Sequence, residues 1–131
     1  MIYKRRNHSK YLLIYHVIFV CKYRRNVLIG YENDLKQILH CIALKSDFDI
    51  LEMECDKDHI HLLVESCPKF SILSIVRRLK QESTINMWKQ QGAFLKSYYW
   101  RENTLWSDGY FCCTIGNVSK ATITKYIQDQ G

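Results

Sequence analysis

Proline and glycine are scarce in this sequence, with one and five among 131 residues. No stretch therefore reads as a linker or low-complexity tail, and a single domain over 1–131 is expected. That length supports a hydrophobic core without staples. The six cysteines (21, 41, 55, 67, 112 and 113) include no Cys-x-x-Cys pair. Most sit in apolar segments, where a reduced thiol packs as a small hydrophobe. The start, Met1-Ile-Tyr-Lys-Arg-Arg6, has charge but no following apolar stretch with a small-residue cleavage site. A secretory leader is not expected, and a reduced, cytoplasmic protein is. The longest apolar run, Tyr11 to Cys21, is too short to cross a bilayer, so no membrane role is expected. A Walker-type nucleotide motif is missing as well.

Acidic residues are absent from residues 1–31, which carry Lys4, Arg5, Arg6, Lys10, Lys22, Arg24 and Arg25. The formal charge of +6 is thus concentrated at one end. Such asymmetry suits a polyanionic partner, nucleic acid ahead of anionic membrane, although a solvated basic tail has the same composition.

What is present is a pattern of alternating elements. Tyr11 to Cys21 is rich in β-branched and aromatic residues and predicts a central strand buried on both faces. His16 in its middle reads as a hydrogen-bonded core residue rather than a ligand. Lys22-Tyr-Arg-Arg25 follows where the strand emerges, a mixture able to hold phosphates and stack bases. Leu35, Ile38, Leu39, Ile42 and Ala43 recur at helical spacing within 31–46. Ile50 to Cys55 alternates as a strand, and Asp56-Lys57-Asp58 is a turn into the strand Ile60 to Val64. Ser71 predicts an N-cap for a helix to about Gln90, ended by Gly92, with Ile72, Ile75, Val76, Leu79 and Met87 inward. Arg77, Arg78 and Lys80 lie nearby and offer cations to a nucleic acid, or only solubility. An aromatic-rich stretch leads to a last strand, Tyr110 to Ile115. Gly116-Asn117 breaks it, and Ser119 caps a final helix from Lys120 to about Gln130. The order strand, helix, strand, strand, helix, strand, helix predicts an α+β, ferredoxin-like antiparallel sheet backed by helices, with an added C-terminal helix.

His59-Ile-His61 opens the third strand. Strand alternation sends both imidazoles to one face, with Cα atoms roughly 6.5–7 Å apart, close enough to share a metal ion. Asp58 either orients an imidazole or serves the turn. Two histidines leave a metal short of ligands. On the final helix Tyr126 and Gln130 stand at i and i+4 on one face, beside an apolar stripe of Ile123 and Ile127. If that stripe docks near the histidine strand, Gln130 can lend its amide oxygen with Tyr126 alongside. A surface tyrosine and glutamine on a terminal helix would look the same.

Five blocks in order resemble the HUH-type single-tyrosine transposases of small insertion sequences, the TnpA-like enzymes that move single-stranded DNA. They are Tyr15 to Arg25, Asp58 to Val64, Ser74 to Lys80, Leu105 to Phe111 with Thr114 to Gly116, and Tyr126 with Gln130. The resemblance covers nearly the whole chain. It implies that His59, His61 and Gln130 bind Mg²⁺ or Mn²⁺ and that Tyr126 is the nucleophile, giving a 5′-phosphotyrosine. It also implies a homodimer in which active sites can be shared between subunits, with Gly116 and Asn117 as a hinge. The partners would be single-stranded DNA hairpins at element ends, and the setting a prokaryotic nucleoid. Three rival readings use the same residues differently. One is a single-strand binding module that does not cut, another a metal nuclease that hydrolyses through water, and the third a structural zinc site using Cys55 with His59 and His61.

Overall fold

The computed structural model describes residues 4–6, 9–11, 13–66, 69–114 and 127–129. Its centre is a four-stranded antiparallel sheet built from β3 (Leu13–Val20), β4 (Asp49–Cys55), β5 (His59–Ser66) and β6 (Phe111–Thr114), in the spatial order β4-β5-β3-β6. Helices α1 (Glu32–Leu44) and α2 (Ile72–Lys96) provide the two crossovers. This is the expected ferredoxin-like arrangement. Ahead of it, β1 (Lys4–Arg6) and β2 (Ser9–Tyr11) form a separate two-stranded ribbon whose register sets Arg5 opposite Lys10. The sequence reading joined Tyr11 to the central strand, but Tyr11 belongs to this ribbon.

Apolar burial explains why β3 is interior. Val17, Ile18, Phe19 and Val20 are all essentially inaccessible, with both faces covered. Toward the helices, Val17 and Phe19 join Ile60, Leu62 and Val64 of β5 in the core. Leu35, Ile38, Leu39, Ile42 and Ala43 of α1, and Ile75, Val76, Leu79 and Met87 of α2, fill it from above. These are the positions that helical spacing selected. Asp34 and Glu32 in the first turn of α1 complement its N-terminal partial charge.

Ser71 caps α2 as expected, its hydroxyl accepting from the Ser74 amide at 3.2 Å. Gly92 does not end the helix. The backbone kinks at Gln91 (φ −130°, ψ 32°) and helix resumes to Lys96. Leu95, fully buried, anchors that extra turn, and its burial outweighs the helix cost of about 1 kcal/mol for one glycine.

The aromatic stretch after α2 returns across the end of β3. Lys22 N donates to Leu105 O and Ser107 N to Val20 O, both at 2.8 Å. Trp106 Nε1 donates to the buried Ser83 hydroxyl at 2.9 Å, and Trp88 Nε1 to Thr104 O at 2.8 Å. The last strand is Phe111–Thr114, within the predicted Tyr110–Ile115. The predicted hinge Gly116-Asn117, the cap Ser119, and both Tyr126 and Gln130 lie outside the described residues. Residues 127–129 within the predicted final helix are helical. Among the described residues no helix is long and apolar enough to cross a membrane.

Candidate metal centre

Strand β5 divides its side chains as alternation requires. Ile60, Leu62 and Val64 are fully buried toward the helices, while His59, His61 and Leu63 stand half-buried on the opposite face. Antiparallel register places Val20, Ile18 and His16 of β3 beside them, and Glu54 and Glu52 of β4 on the other flank. The two imidazole rings lie edge to face with centroids 5.0 Å apart.

Each imidazole has one nitrogen held. His59 Nδ1 lies 2.8 Å from Asp58 Oδ1. An ionised carboxylate only accepts, so Nδ1 carries a proton, and in the neutral ring the lone pair is then on Nε2. Asp58 is itself 4% exposed, and three interactions fix it. Its other oxygen accepts from Arg24 Nε at 3.3 Å, and its carbonyl accepts from the Cys21 amide at 2.8 Å. Of the two roles open to Asp58, the structure assigns the orientation of His59. Arg24 also reaches the far end of the chain, its Nη1 donating to Gln128 O at 3.4 Å. One guanidinium therefore links the carboxylate behind His59 to the helical stretch 127–129, in the segment that carries Tyr126 and Gln130.

His61 is held differently. Its Nδ1 is 2.9 Å from His16 Nε2, and the two rings stack with centroids 5.2 Å apart. Phe111 packs edge-on against His16 at 6.4 Å. Burial first, then the neighbouring His59 and His16, pushes the His61 pKa down, so the ring favours the neutral form that can coordinate. Burial lowers His16 in the same sense. His16 is hydrogen-bonded, as its lone polar place in an apolar strand suggested. Sequence spacing could not show that its partner is a candidate ligand 45 residues away.

The donor set fits a divalent ion. Both Nδ1 atoms are engaged, neither Nε2 has a hydrogen-bond partner among the described residues, and strand alternation sets both rings on one sheet face. Among the described residues no three His, Cys, Asp or Glu side chains group around one point, so a further ligand is needed from elsewhere. Cys55 does not supply it. It pairs with Ile60 in register and packs against the core, on the face away from the histidines. The structural-zinc reading fails for that reason.

The basic side chains have diverse uses. Lys80 Nζ donates to the carbonyls of Ser107 (2.6 Å), Asp108 (3.1 Å) and Gly109 (3.0 Å), so it braces a loop. Lys22 pairs with Glu102 at 2.9 Å and Arg78 with Glu82 at 2.6 Å. Arg77 is exposed on α2. Arg25 lines a cavity beside the Lys22–Arg24 turn. Lys4, Arg5, Arg6 and Lys10 are gathered on the ribbon.

A ferredoxin-like domain whose interior strand presents an oriented His-x-His pair beside a basic turn is the frame of a small DNA-processing enzyme. The chain belongs to the IS200-like transposase family, whose model matches residues 9–130. It is 38% identical over 121 residues to the ISDra2 transposase TnpA of Deinococcus radiodurans, covering 92% of this chain and 85% of that protein. With the transposase for insertion sequence element IS200 of Salmonella typhimurium it shares 35% identity over 124 residues, 94% of this chain and 80% of the relative. A 1.90 Å crystal structure from Deinococcus radiodurans, assigned as a transposase, superposes with a TM-score of 0.88 at 32% identity and covers 97% of both chains. A REP-associated tyrosine transposase bound to a REP hairpin shares the fold at a TM-score of 0.55 and 12% identity, over 94% of this chain and 68% of that one.

Proposed function

We propose that this transposase cleaves and rejoins single-stranded DNA beside hairpins at the ends of an insertion sequence, with Tyr126 as nucleophile. His59, His61 and Gln130 would hold Mg²⁺ or Mn²⁺. The observation that carries this reading is the bridge from Asp58, behind His59, through Arg24 to the carbonyl of Gln128. It ties the histidine face to the segment on which the family resemblance puts the tyrosine and the third ligand.

A phosphodiester resists attack because its charge repels nucleophiles and its alkoxide is a poor leaving group. Held by His59, His61 and Gln130, a divalent ion would supply Lewis-acid polarisation of the phosphate and would offset charge on the departing 3′-oxygen. The chain's own residues do the rest. Asp58 holds His59 in the tautomer with Nε2 free. His16 performs the same service for His61 when its Nε2 accepts from His61 Nδ1, which leaves the other His61 nitrogen unprotonated. The Tyr126 phenol gives up its proton to water as its oxygen bonds to phosphorus. The bond from phosphorus to the 3′-oxygen breaks, and that oxygen takes up a proton. The products are a 5′-phosphotyrosine and a free 3′-OH. The covalent ester preserves the phosphodiester bond energy for a second 3′-OH, so rejoining needs no nucleotide cofactor. The ribbon carrying Lys4, Arg5, Arg6 and Lys10 suits the hairpin backbone, with affinity falling steeply as salt rises. A homodimer sharing tyrosine segments between subunits is part of the same reading.

The test is a labelled hairpin oligonucleotide with a single-stranded flank, incubated with protein and Mg²⁺. A denaturant-resistant protein–DNA adduct is expected, lost in Tyr126→Phe while hairpin binding stays. Cleavage that continues in Tyr126→Phe would establish hydrolysis by water instead.

A further inference from the structure

Beside the Lys22–Arg24 turn lies a cavity of about 520 Å³ that the chemistry above does not use. Tyr23, Tyr98, Tyr99 and Trp100 provide its aromatic surface and Arg25 and Arg101 its cations, while the one carboxylate in the lining, Glu102, is paired with Lys22 at 2.9 Å. Trp100 and Tyr23 are 66% and 61% exposed, the most open aromatic side chains among the described residues. Lys22 Nζ lies 5.7 Å from the Tyr23 ring centroid and the Tyr99 ring 6.5 Å from it, and together with the open indole of Trp100 these rings form an aromatic patch suited to a flat ligand.

The backbone shows how this arrangement is held. Tyr23 and Arg24 both adopt left-handed conformations (φ 61° and 52°), which non-glycine residues rarely take once, let alone in succession. The turn is clamped by Arg24 N to Cys21 O at 2.8 Å and by Tyr99 Oη to Lys22 O at 2.9 Å. Burial drives the Tyr99 phenol well above its ordinary pKa, so it remains a donor to that carbonyl. The outcome is a division of labour between neighbours. Arg24 turns in to Asp58, while Tyr23 faces the cavity. The site that positions His59 and the aromatic cavity are therefore built on adjacent residues of one strained turn.

We propose that this cavity receives an unpaired nucleobase of the single strand flanking the scissile phosphate. Its aromatic faces stack the base, and Arg25 and Arg101 meet the adjoining phosphates. Aromatic faces among cations are the sequence-tolerant means of gripping single strands. The proposal rests on the single-strand reading above. It places the base site on the Tyr23 side of the turn whose Arg24 side supports the metal centre.

The experiment measures binding in the absence of divalent metal, using the Tyr126→Phe chain so that cleavage plays no part. The probes are a thymidine 20-mer and a 20-mer of abasic deoxyribose phosphate with equal charge. The parent chain should prefer the thymidine strand, by roughly tenfold if one base stacks. Trp100→Ala combined with Tyr23→Asn, which tolerates the left-handed backbone, should erase that preference while leaving abasic-strand affinity unchanged. Equal affinity of the parent chain for both strands would overturn the proposal, as would an undiminished preference in the double variant. Photo-crosslinking of a 5-iodo-deoxyuridine strand to the parent chain supplies a readout that needs no variant to fold. Adducts on Tyr23 or Trp100 are expected, and adducts confined to other residues refute the site. Failure of the phosphotyrosine assay would leave these binding results intact, so the two readings fall separately.

Discussion

Removing the Asp58 carboxylate should weaken divalent-metal binding by about 10- to 100-fold, equivalent to about 1.4–2.7 kcal/mol. The structure identifies why. The carboxylate fixes the proton of His59 on Nδ1 at 2.8 Å and is itself braced by Arg24 Nε at 3.3 Å. In Asp58→Ala the His59 ring is free to rotate, and its Nε2 lone pair no longer points one way. Asp58→Asn separates the two contacts. Its carbonyl oxygen can still accept from His59, whereas its NH₂ would meet the Arg24 donor. The Arg24 link, and with it the tether to Gln128 O, should break while most metal affinity survives. The main-chain bond from Cys21 N to Asp58 O at 2.8 Å remains in both variants, so the turn keeps its path. Burial of Asp58 adds a stability cost of about 1–3 kcal/mol for its stranded partners. Mn²⁺ titration followed by electron paramagnetic resonance, with thermal melting as the check on folding, reads both quantities. A folded Asp58→Ala chain that binds Mn²⁺ as tightly as the parent would refute the orienting role.

Three further outcomes follow from other contacts. His16→Phe should weaken Mn²⁺ binding while the sheet stays folded, and His16→Gln, which can place an oxygen near the former Nε2, should recover part of the loss. Lys80→Met should lower stability by about 2 kcal/mol on thermal melting, because three loop carbonyls lose a charged donor, and should leave the salt dependence of DNA affinity unchanged. His16 and His61 have pKa values depressed by burial, so the unfolded chain binds more protons at mildly acidic pH. Metal-free stability should therefore be intact above about pH 6.5 and decline as pH falls through the folded-state values, with a shallower decline in His16→Phe. A melting temperature that rose on acidification over that window would contradict this.

Much of the architecture was readable from residue pattern, because burial obeys the period of each element. Leu35 to Ala43 at helical spacing and Ile60, Leu62 and Val64 at strand spacing occupy the core as expected. The readings that failed had local grounds that tertiary packing overrode. Gly92 looked like a helix end, but buried Leu95 carries α2 past it. Tyr11 looked continuous with the central strand, yet it pairs with Lys4 in the ribbon. Lys80 looked like a surface cation and instead braces residues 107–109.

For the site, the chain order alone determined that His59 and His61 share a face, since alternation along a strand leaves no other choice. Helical spacing also led to the expectation that Tyr126 and Gln130, which lie outside the described residues, share one face, and the recurring motif blocks pointed to the transposase family. What only the folded chain decided is which nitrogen of each ring is held by its neighbours. That depends on Asp58 beside His59, on His16 arriving from a neighbouring strand, and on Arg24 joining the carboxylate to Gln128. Such contacts span up to 104 residues of separation, and linear spacing does not encode them. Hydrogen bonds this short depend on sheet register and on the strained turn at Tyr23 and Arg24, both of which exist only once the strands have paired.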